Sequence, residues 1–211
     1  MATNPIFEAF LKHQPDTAPF LIEPGGAVMT YGTLRKDIAG AAGALCGLGV
    51  RPGDRVLCQI EKSPAALTLY LATVIAGGVF VPLNTGYTPA EVEYFLDDAA
   101  PALLILDNCT QAARHVAEMR GVAVTSPDEL LNSATPPLDA PIGRAADDMA
   151  AILYTSGTTG RSKGAMLTHD NLISNAVTLA ECWQFSSDDV LLHALPVFHT
   201  HGLFVATNII L

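Results

Sequence analysis

The chain has 211 residues, of which 50% are hydrophobic and 15% are charged, a composition that can bury a substantial core in one large domain or slightly more. Its formal net charge of −10 disfavours nucleic acids and anionic membrane surfaces as partners. Local donors would therefore have to bind an anionic substrate against the sign of the overall field.

Helix and strand patterns alternate along the first part of the chain. Thr30 is a predicted N-cap for a helix that ends near Leu48, and Ser63 followed by proline predicts the start of the next helix. The remaining pattern predicts strands at 55–60, 79–83, 102–106 and 122–125 and helices at 89–98 and 109–120. This alternation predicts a doubly wound α/β architecture.

The uncharged stretch 65–83 is long enough to raise the question of a membrane span. Gly77, Gly78 and Pro82 divide it into a predicted helix up to Ala76 and a strand, so we expect no membrane span. The N-terminus lacks the basic segment of a secretory signal, and the cysteines show no metal-ligand spacing. We therefore expect a cytoplasmic protein with buried free thiols at Cys46, Cys58, Cys109 and Cys182.

Residues 132–146 are rich in proline, alanine and aspartate, which is typical of a connection. The expected organisation is a first α/β subdomain over 1–131, this connection over 132–146, and the start of an incomplete second subdomain over 147–211.

Residues 154–163, Tyr-Thr-Ser-Gly-Thr-Thr-Gly-Arg-Ser-Lys, are crowded with glycines and hydroxyls, and we call them the glycine-rich loop. Gly157 and Gly160 allow the backbone to approach a ligand closely, and Lys163 supplies a positive charge for oxyanions. Such runs are otherwise solvated loops or linkers. Tight apolar flanks at 150–154 and 164–167 instead favour a loop that joins two strands.

The glycine-rich loop differs from the usual phosphate-loop motif, in which glycine, lysine and serine or threonine lead directly into a helix. Here Ser162 precedes the lysine and Gly164 follows it. The helix pattern begins only after Thr168, a predicted N-cap. We therefore expect a loop carried by a hairpin, without a helix dipole on the phosphate.

Four stretches together carry a family resemblance. The glycine-rich loop resembles the signature loop of the adenylate-forming superfamily, which includes acyl-CoA synthetases, luciferases and peptide-synthetase adenylation domains. Leu-Pro-Val-Phe-His-Thr-His-Gly-Leu at 195–203, Val-Pro-Leu-Asn-Thr-Gly-Tyr at 81–87 and Met-Thr-Tyr-Gly-Thr-Leu at 29–34 resemble further family motifs. Within the superfamily, the residues of these motifs are most similar to those of the malonyl-CoA synthetase branch.

The resemblance implies a partial N-terminal domain of the adenylate-forming fold: mixed or parallel sheets flanked by helices, with a hairpin-borne phosphate loop. It also implies an ATP-dependent acid-thiol ligase that uses Mg²⁺, forms an acyl-AMP from a small carboxylate such as malonate or a close dicarboxylate, and transfers the acyl group to coenzyme A. Two alternatives stay open. One is an adenylate-forming enzyme for another acid, either a fatty or aryl acyl-CoA ligase or an adenylation domain, and the other is a non-catalytic nucleotide-binding remnant.

The resemblance also implies roles for particular residues. Lys163 and His199 are the implied catalytic residues, and His199 matches the gating position beside the acyl and pantetheine channel. His201 matches an acyl-pocket position, so both histidines are implied substrate contacts. The implied contacts with the ATP phosphates are Thr155, Ser156, Gly157, Thr158, Thr159, Gly160 and Lys163.

His193, His199 and His201 lie within nine residues, so a metal site is an alternative interpretation. His199 and His201 would share one face of a strand, yet no nearby Cys, Asp or Glu completes a ligand set, and no metal site is predicted. His193 is alternatively a core histidine with satisfied hydrogen bonds.

Members of the resembled family are about twice as long. The glutamate that holds Mg²⁺, the aspartate that binds the ribose, the hinge and the lid lysine cannot be placed in these residues. We expect the 211 residues to be the N-terminal part of a larger synthetase, with its missing C-terminal part as a partner.

Overall fold

The computed structural model describes residues 3–107, 111–155 and 161–211. The described strands are β1 (Pro19–Ile22), β2 (Val28–Thr30), β3 (Arg55–Gln59), β4 (Val79–Pro82), β5 (Leu103–Leu106), β6 (Ala123–Thr125), β7 (Met149–Thr155) and β8 (Lys163–Thr168). The described α-helices are α1 (Tyr31–Gly47), α2 (Pro64–Ile75), α3 (Pro89–Ala99), α4 (Gln111–Met119), α5 (Pro127–Leu131), α6 (His169–Trp183) and α7 (Asn208–Ile210). Two further segments, Phe7–Leu11 and His201–Thr207, are π-helical.

A six-stranded sheet with the strand order β6-β5-β3-β4-β7-β8 forms the centre of the molecule. The first five strands in this order, from β6 through β5, β3 and β4 to β7, are parallel to their neighbours. The last strand, β8, is antiparallel to β7. β1 and β2 form a separate antiparallel pair. The predicted α/β class, with a mixed sheet flanked by helices, is confirmed.

Side chains that predict helix starts also cap them in the structure. The hydroxyls of Thr30, Ser63 and Thr168 each accept a hydrogen bond from the backbone N–H three residues later, which satisfies a donor that the helix leaves free. All three predicted N-caps are therefore confirmed. The short helix α5 and the β1–β2 pair were not predicted from the sequence.

The sheet is covered by helices on both faces because successive strand residues point to opposite sides. Val56 and Cys58 of β3 join the larger buried cluster with side chains of α1 and α2. Leu57, between them in sequence, joins a second cluster with side chains of α3 and α4. The strands are thus buried on both sides, which explains their continuous apolar sequences.

The connection 132–146 runs across α1 and α2. Its Leu138 N–H donates to the carbonyl of Ala39 at 2.9 Å, and Ile142 N–H donates to that of Ile75 at 2.9 Å. The approach to α1 requires glycine, because a Cβ at Gly43 would lie 2.2 Å from the carbonyl oxygen of Pro136. The expected division at 132–146 stays a prediction; strands from both sides of it lie in one sheet.

The stretch 65–83 divides as predicted, because α2 ends at Ile75 and β4 begins at Val79. Across the described ranges, no helix combines the length and apolar character that crossing a bilayer requires. Cys58 is buried and Cys46 is partly exposed, but Cys182 is exposed on α6, so the prediction of buried thiols is wrong there. Cys109 lies outside the described residues.

Candidate active site

The glycine-rich loop connects the two strands of an antiparallel hairpin. Thr155 at the end of β7 pairs with Lys163 at the start of β8, and both residues are exposed. The prediction that this loop joins two strands is confirmed. Five predicted phosphate contacts lie outside the described residues, and their roles stay predictions: Ser156, Gly157, Thr158, Thr159 and Gly160.

The hairpin presents Thr155 and Lys163 at the sheet edge where the carboxyl ends of the parallel strands lie. β7 runs parallel to β4 through the pair Phe80 and Ala151, and β4 runs parallel to β3. The carboxyl ends of these three strands therefore lie at the same edge. Ligands of open α/β sheets bind at this edge, outside the carboxyl ends of the strands.

The segment that carries the predicted histidines packs on the same edge. Val197, Phe198 and Leu203 line a small apolar cavity together with residues of β3 and β4 and their carboxyl ends, Cys58, Ile60, Phe80, Pro82 and Leu83. Val197 and Leu203 are buried, whereas His199 and His201 are exposed. The structure thus brings Thr155, Lys163 and the segment that carries His199 and His201 to one edge of the sheet.

His199 and His201 form a contacting pair. Their rings stack with centroids 5.3 Å apart and an interplanar angle of 15°, and their Nδ1 atoms are 3.4 Å apart. They do not share a strand face as expected, because His201 begins the π-helical segment. Exposed imidazoles can donate hydrogen bonds from ring N–H groups, so the pair can bind an anionic or polar group.

Gly202 determines how the chain turns between these histidines and the core. A Cβ at Gly202 would lie 1.9 Å from the carbonyl oxygen of Pro196, so only glycine permits this approach. The Thr207 hydroxyl donates to the Gly202 carbonyl at 3.0 Å, and Nε2 of His193 lies 2.9 Å from that carbonyl and 3.1 Å from the Thr207 hydroxyl. His193 is thus a partly buried histidine with a satisfied Nε2.

Lys62 contributes to the same edge and was missed in the sequence. It follows β3 closely, and its ammonium group donates to the backbone carbonyl of His193. Burial lowers the pKa of Lys62. Burial also lowers the pKa of His193, with a further contribution from the Lys62 charge. The only sequence signal for Lys62 was its position just after a buried strand.

Within residues 3–107, 111–155 and 161–211, no group of three or more His, Cys, Asp or Glu side chains could hold a metal ion.

Comparisons with known proteins agree with this geometry. The family described as AMP-binding enzyme matches residues 7–211. MatB from Rhodopseudomonas palustris superimposes with a TM-score of 0.91 at 46% identity, over 99% of this chain and 43% of that one. The curated relatives include a feruloyl-CoA synthase of Amycolatopsis sp., 39% identical over 86% of this chain and 37% of its own length. A malonate-CoA ligase of Arabidopsis thaliana is 32% identical over 76% of this chain and 28% of its own length.

The chain thus spans less than half the length of these relatives. Its fold matches the N-terminal domain of the adenylate-forming fold, as the sequence resemblance implied. Enzymes of this family use ATP, Mg²⁺ and coenzyme A. With the family match over residues 7–211 and a shared fold at 46% identity, the chain belongs to the AMP-binding enzymes, the adenylate-forming superfamily.

Proposed function

We propose that the whole protein is an ATP-dependent acid-thiol ligase that activates a small carboxylic acid as acyl-AMP and transfers it to coenzyme A. The proposed acid is malonate or a close dicarboxylate. The observation that carries this proposal is the placement of Thr155 and Lys163 at the same sheet edge as the pair His199 and His201. A cationic hairpin and a polar histidine pair at one edge suit a nucleotide phosphate and an acid, respectively.

In the first half-reaction, a carboxylate oxygen attacks the α-phosphorus of ATP, and pyrophosphate leaves with the electrons of the broken P–O bond. The reacting groups are both anionic, so charge must be offset for them to approach. The Lys163 ammonium supplies a positive charge, and the Thr155 hydroxyl supplies a donor beside it. Catalysis of this kind consists mostly of positioning and electrostatic stabilisation.

The preference for a dicarboxylate rests on the histidine pair. Malonate carries a second carboxylate, which must be met by hydrogen-bond donors when it leaves water. The exposed rings of His199 and His201 carry N–H groups that can donate to this second carboxylate. An apolar acid would instead need apolar side chains at these two positions. The malonate-CoA ligase among the relatives supports the same acid.

The feruloyl-CoA synthase at 39% identity supports a second candidate, an aryl acid. Pyrophosphate exchange into ATP, measured on the whole protein with a panel of acids, separates the candidates. We expect exchange with malonate or methylmalonate. Exchange with ferulate alone would favour the aryl acid. If none of the acids supports exchange, the non-catalytic remnant is favoured.

A further inference from the structure

Helix α3 contacts the chain on both sides of residues 156–160 through two tyrosine hydroxyls. The Tyr94 hydroxyl donates to the backbone carbonyl of Ser162 at 2.6 Å. The Tyr154 hydroxyl donates to the carboxylate of Asp98 at 2.6 Å. Tyr94 and Asp98 are four residues apart, so they lie one turn apart on the same face of α3. One face of α3 thus holds Tyr154, which precedes Thr155, and Ser162, which precedes Lys163.

The two hydrogen bonds lie beside an aromatic cluster. The rings of Phe95 and Tyr154 are 4.5 Å apart between centroids, and those of Tyr94 and Tyr154 are 6.4 Å apart. Phe95 is only 2% exposed, so the cluster is fixed to the core on the α3 face of the sheet. Burial and the bond to Asp98 raise the pKa of Tyr154, so its hydroxyl stays a protonated donor at neutral pH.

Arg161 adds a third contact to the same cluster. Its guanidinium carbon lies 5.9 Å from the centroid of the Tyr94 ring, within the range of a cation–π interaction. Tyr94 therefore contacts both Arg161 and Ser162, the two residues that precede Lys163. A displacement of Tyr94 would move the backbone on which Lys163 lies.

We infer that Tyr94 and Asp98 are positioning residues that hold Thr155 and Lys163 in place for the phosphates of ATP. This inference rests on the proposed function, and neither residue is assigned a contact with substrate. A loop whose flanks are fixed before ATP binds loses less conformational entropy on binding. Removal of either hydrogen bond therefore weakens the use of ATP without changing the chemistry of CoA transfer.

The test uses Tyr94→Phe in the whole protein, which keeps the ring and removes one hydroxyl. We expect the KM for ATP in pyrophosphate exchange to rise roughly fivefold to tenfold, the scale of one lost hydrogen bond. Thioester formation from preformed acyl adenylate should stay within about twofold, because no triphosphate takes part. Tyr87→Phe is the matched control, because it removes a hydroxyl from the same aromatic cluster, where its ring lies 4.9 Å from that of Phe95.

Asp98→Ala provides a second variant at an exposed position, where folding is less at risk. It removes the acceptor of the Tyr154 hydroxyl and should raise the KM for ATP in the same direction. If the wild type is active but neither variant changes the KM for ATP, the positioning role alone is wrong. The same holds if the variants slow both half-reactions equally. A wild type without acid-dependent exchange overturns the proposed function and the positioning role together.

Discussion

Lys163 is the residue on which the proposed adenylation chemistry depends most. We expect Lys163→Ala in the whole protein to lower the adenylation rate about 100-fold, the scale for loss of one preorganised charge donor. Thioester formation from preformed acyl adenylate should change far less, since the triphosphate is present only in the first half-reaction. Single-turnover measurement of each half-reaction checks this. Lys36→Ala, at an exposed position on α1, is the control, and equal losses in both half-reactions would mark Lys163 as structural.

The family resemblance implies that His199, besides contacting the acid, borders the channel for the thiol, so we propose that it also affects the second half-reaction. We expect His199→Ala to slow CoA capture more than pyrophosphate exchange when both are measured at saturating acid, because loss of its contact with the acid raises the KM for the acid. A thermal melt must precede the kinetics, because the neighbouring residues Val197 and Leu203 are buried. An unchanged ratio of the two rates would remove the gating role.

At the scale of elements, the turn 196–203 depends on Gly202. We expect Gly202→Ala to destabilise the fold by about 1–3 kcal/mol, since the new Cβ would overlap the Pro196 carbonyl and force the turn to open. Urea unfolding measures the change. Gly40→Ala in α1 is the matched control, because a Cβ there meets nothing within 4 Å and alanine favours a helix. Equal stability of the two variants would refute the predicted overlap.

The start of α6 is expected to give stability a pH dependence. The pKa of His169 is lowered from about 6.5 to about 4, mainly by burial and also by the neighbouring Arg144 charge, while the Asp148 carboxylate opposes this shift. Because the unfolded state binds the proton more readily, stability falls as the pH is lowered from 6.5 towards 4.

We expect His169 to account for about 2 kcal/mol of lost stability between pH 7 and pH 5. Urea unfolding of wild type and His169→Asn at both pH values isolates this contribution, because the other titrating groups are common to both proteins. If the two proteins lose the same stability over this range, His169 is not the titrating group.

The elements that the sequence predicts are those fixed by local chemistry. Hydroxyl caps such as Thr168 and apolar strands such as β5 are specified within a few residues, so they could be recognised directly. The hairpin at Lys163 followed from its tight apolar flanks. Contacts between distant residues carry no such pattern, which is why the bond from Tyr94 to Ser162 was not predicted.

The arrangement around the histidines was predicted less well for the same reason. Alternation at His199 and His201 suggested a shared strand face, but burial of Val197 and Leu203 on the sheet edge turns the chain into a π-helical segment. Likewise, the pairing of Phe80 with Ala151 joins β7 to β4 in one sheet across the proline-rich connection, and no periodicity reveals it.

At the scale of the whole molecule, several large apolar side chains are exposed near the last strand of the sheet and in the segment that follows α6. Met166 on edge strand β8 is 68% exposed and Leu192 is 89% exposed. Apolar groups beside an open strand edge favour association. We therefore expect the 211-residue chain alone to self-associate in solution.

Light scattering at increasing concentrations tests this expectation. The double variant Met166→Lys with Leu192→Lys should shift the chain towards the monomer. Met119→Lys is the matched control, because Met119 is 73% exposed but lies at the end of α4. A monodisperse monomer of the unaltered chain, or equal effects of control and double variant, would show that this surface does not drive association.

The most direct test of the proposed site is acid-dependent exchange of labelled pyrophosphate into ATP. It compares the whole wild-type protein with its Lys163→Ala variant. We expect exchange that requires malonate or a close dicarboxylate and that falls about 100-fold in Lys163→Ala. Exchange that needs no acid, or that persists undiminished without Lys163, would contradict a site built from the β7–β8 hairpin and the histidine pair.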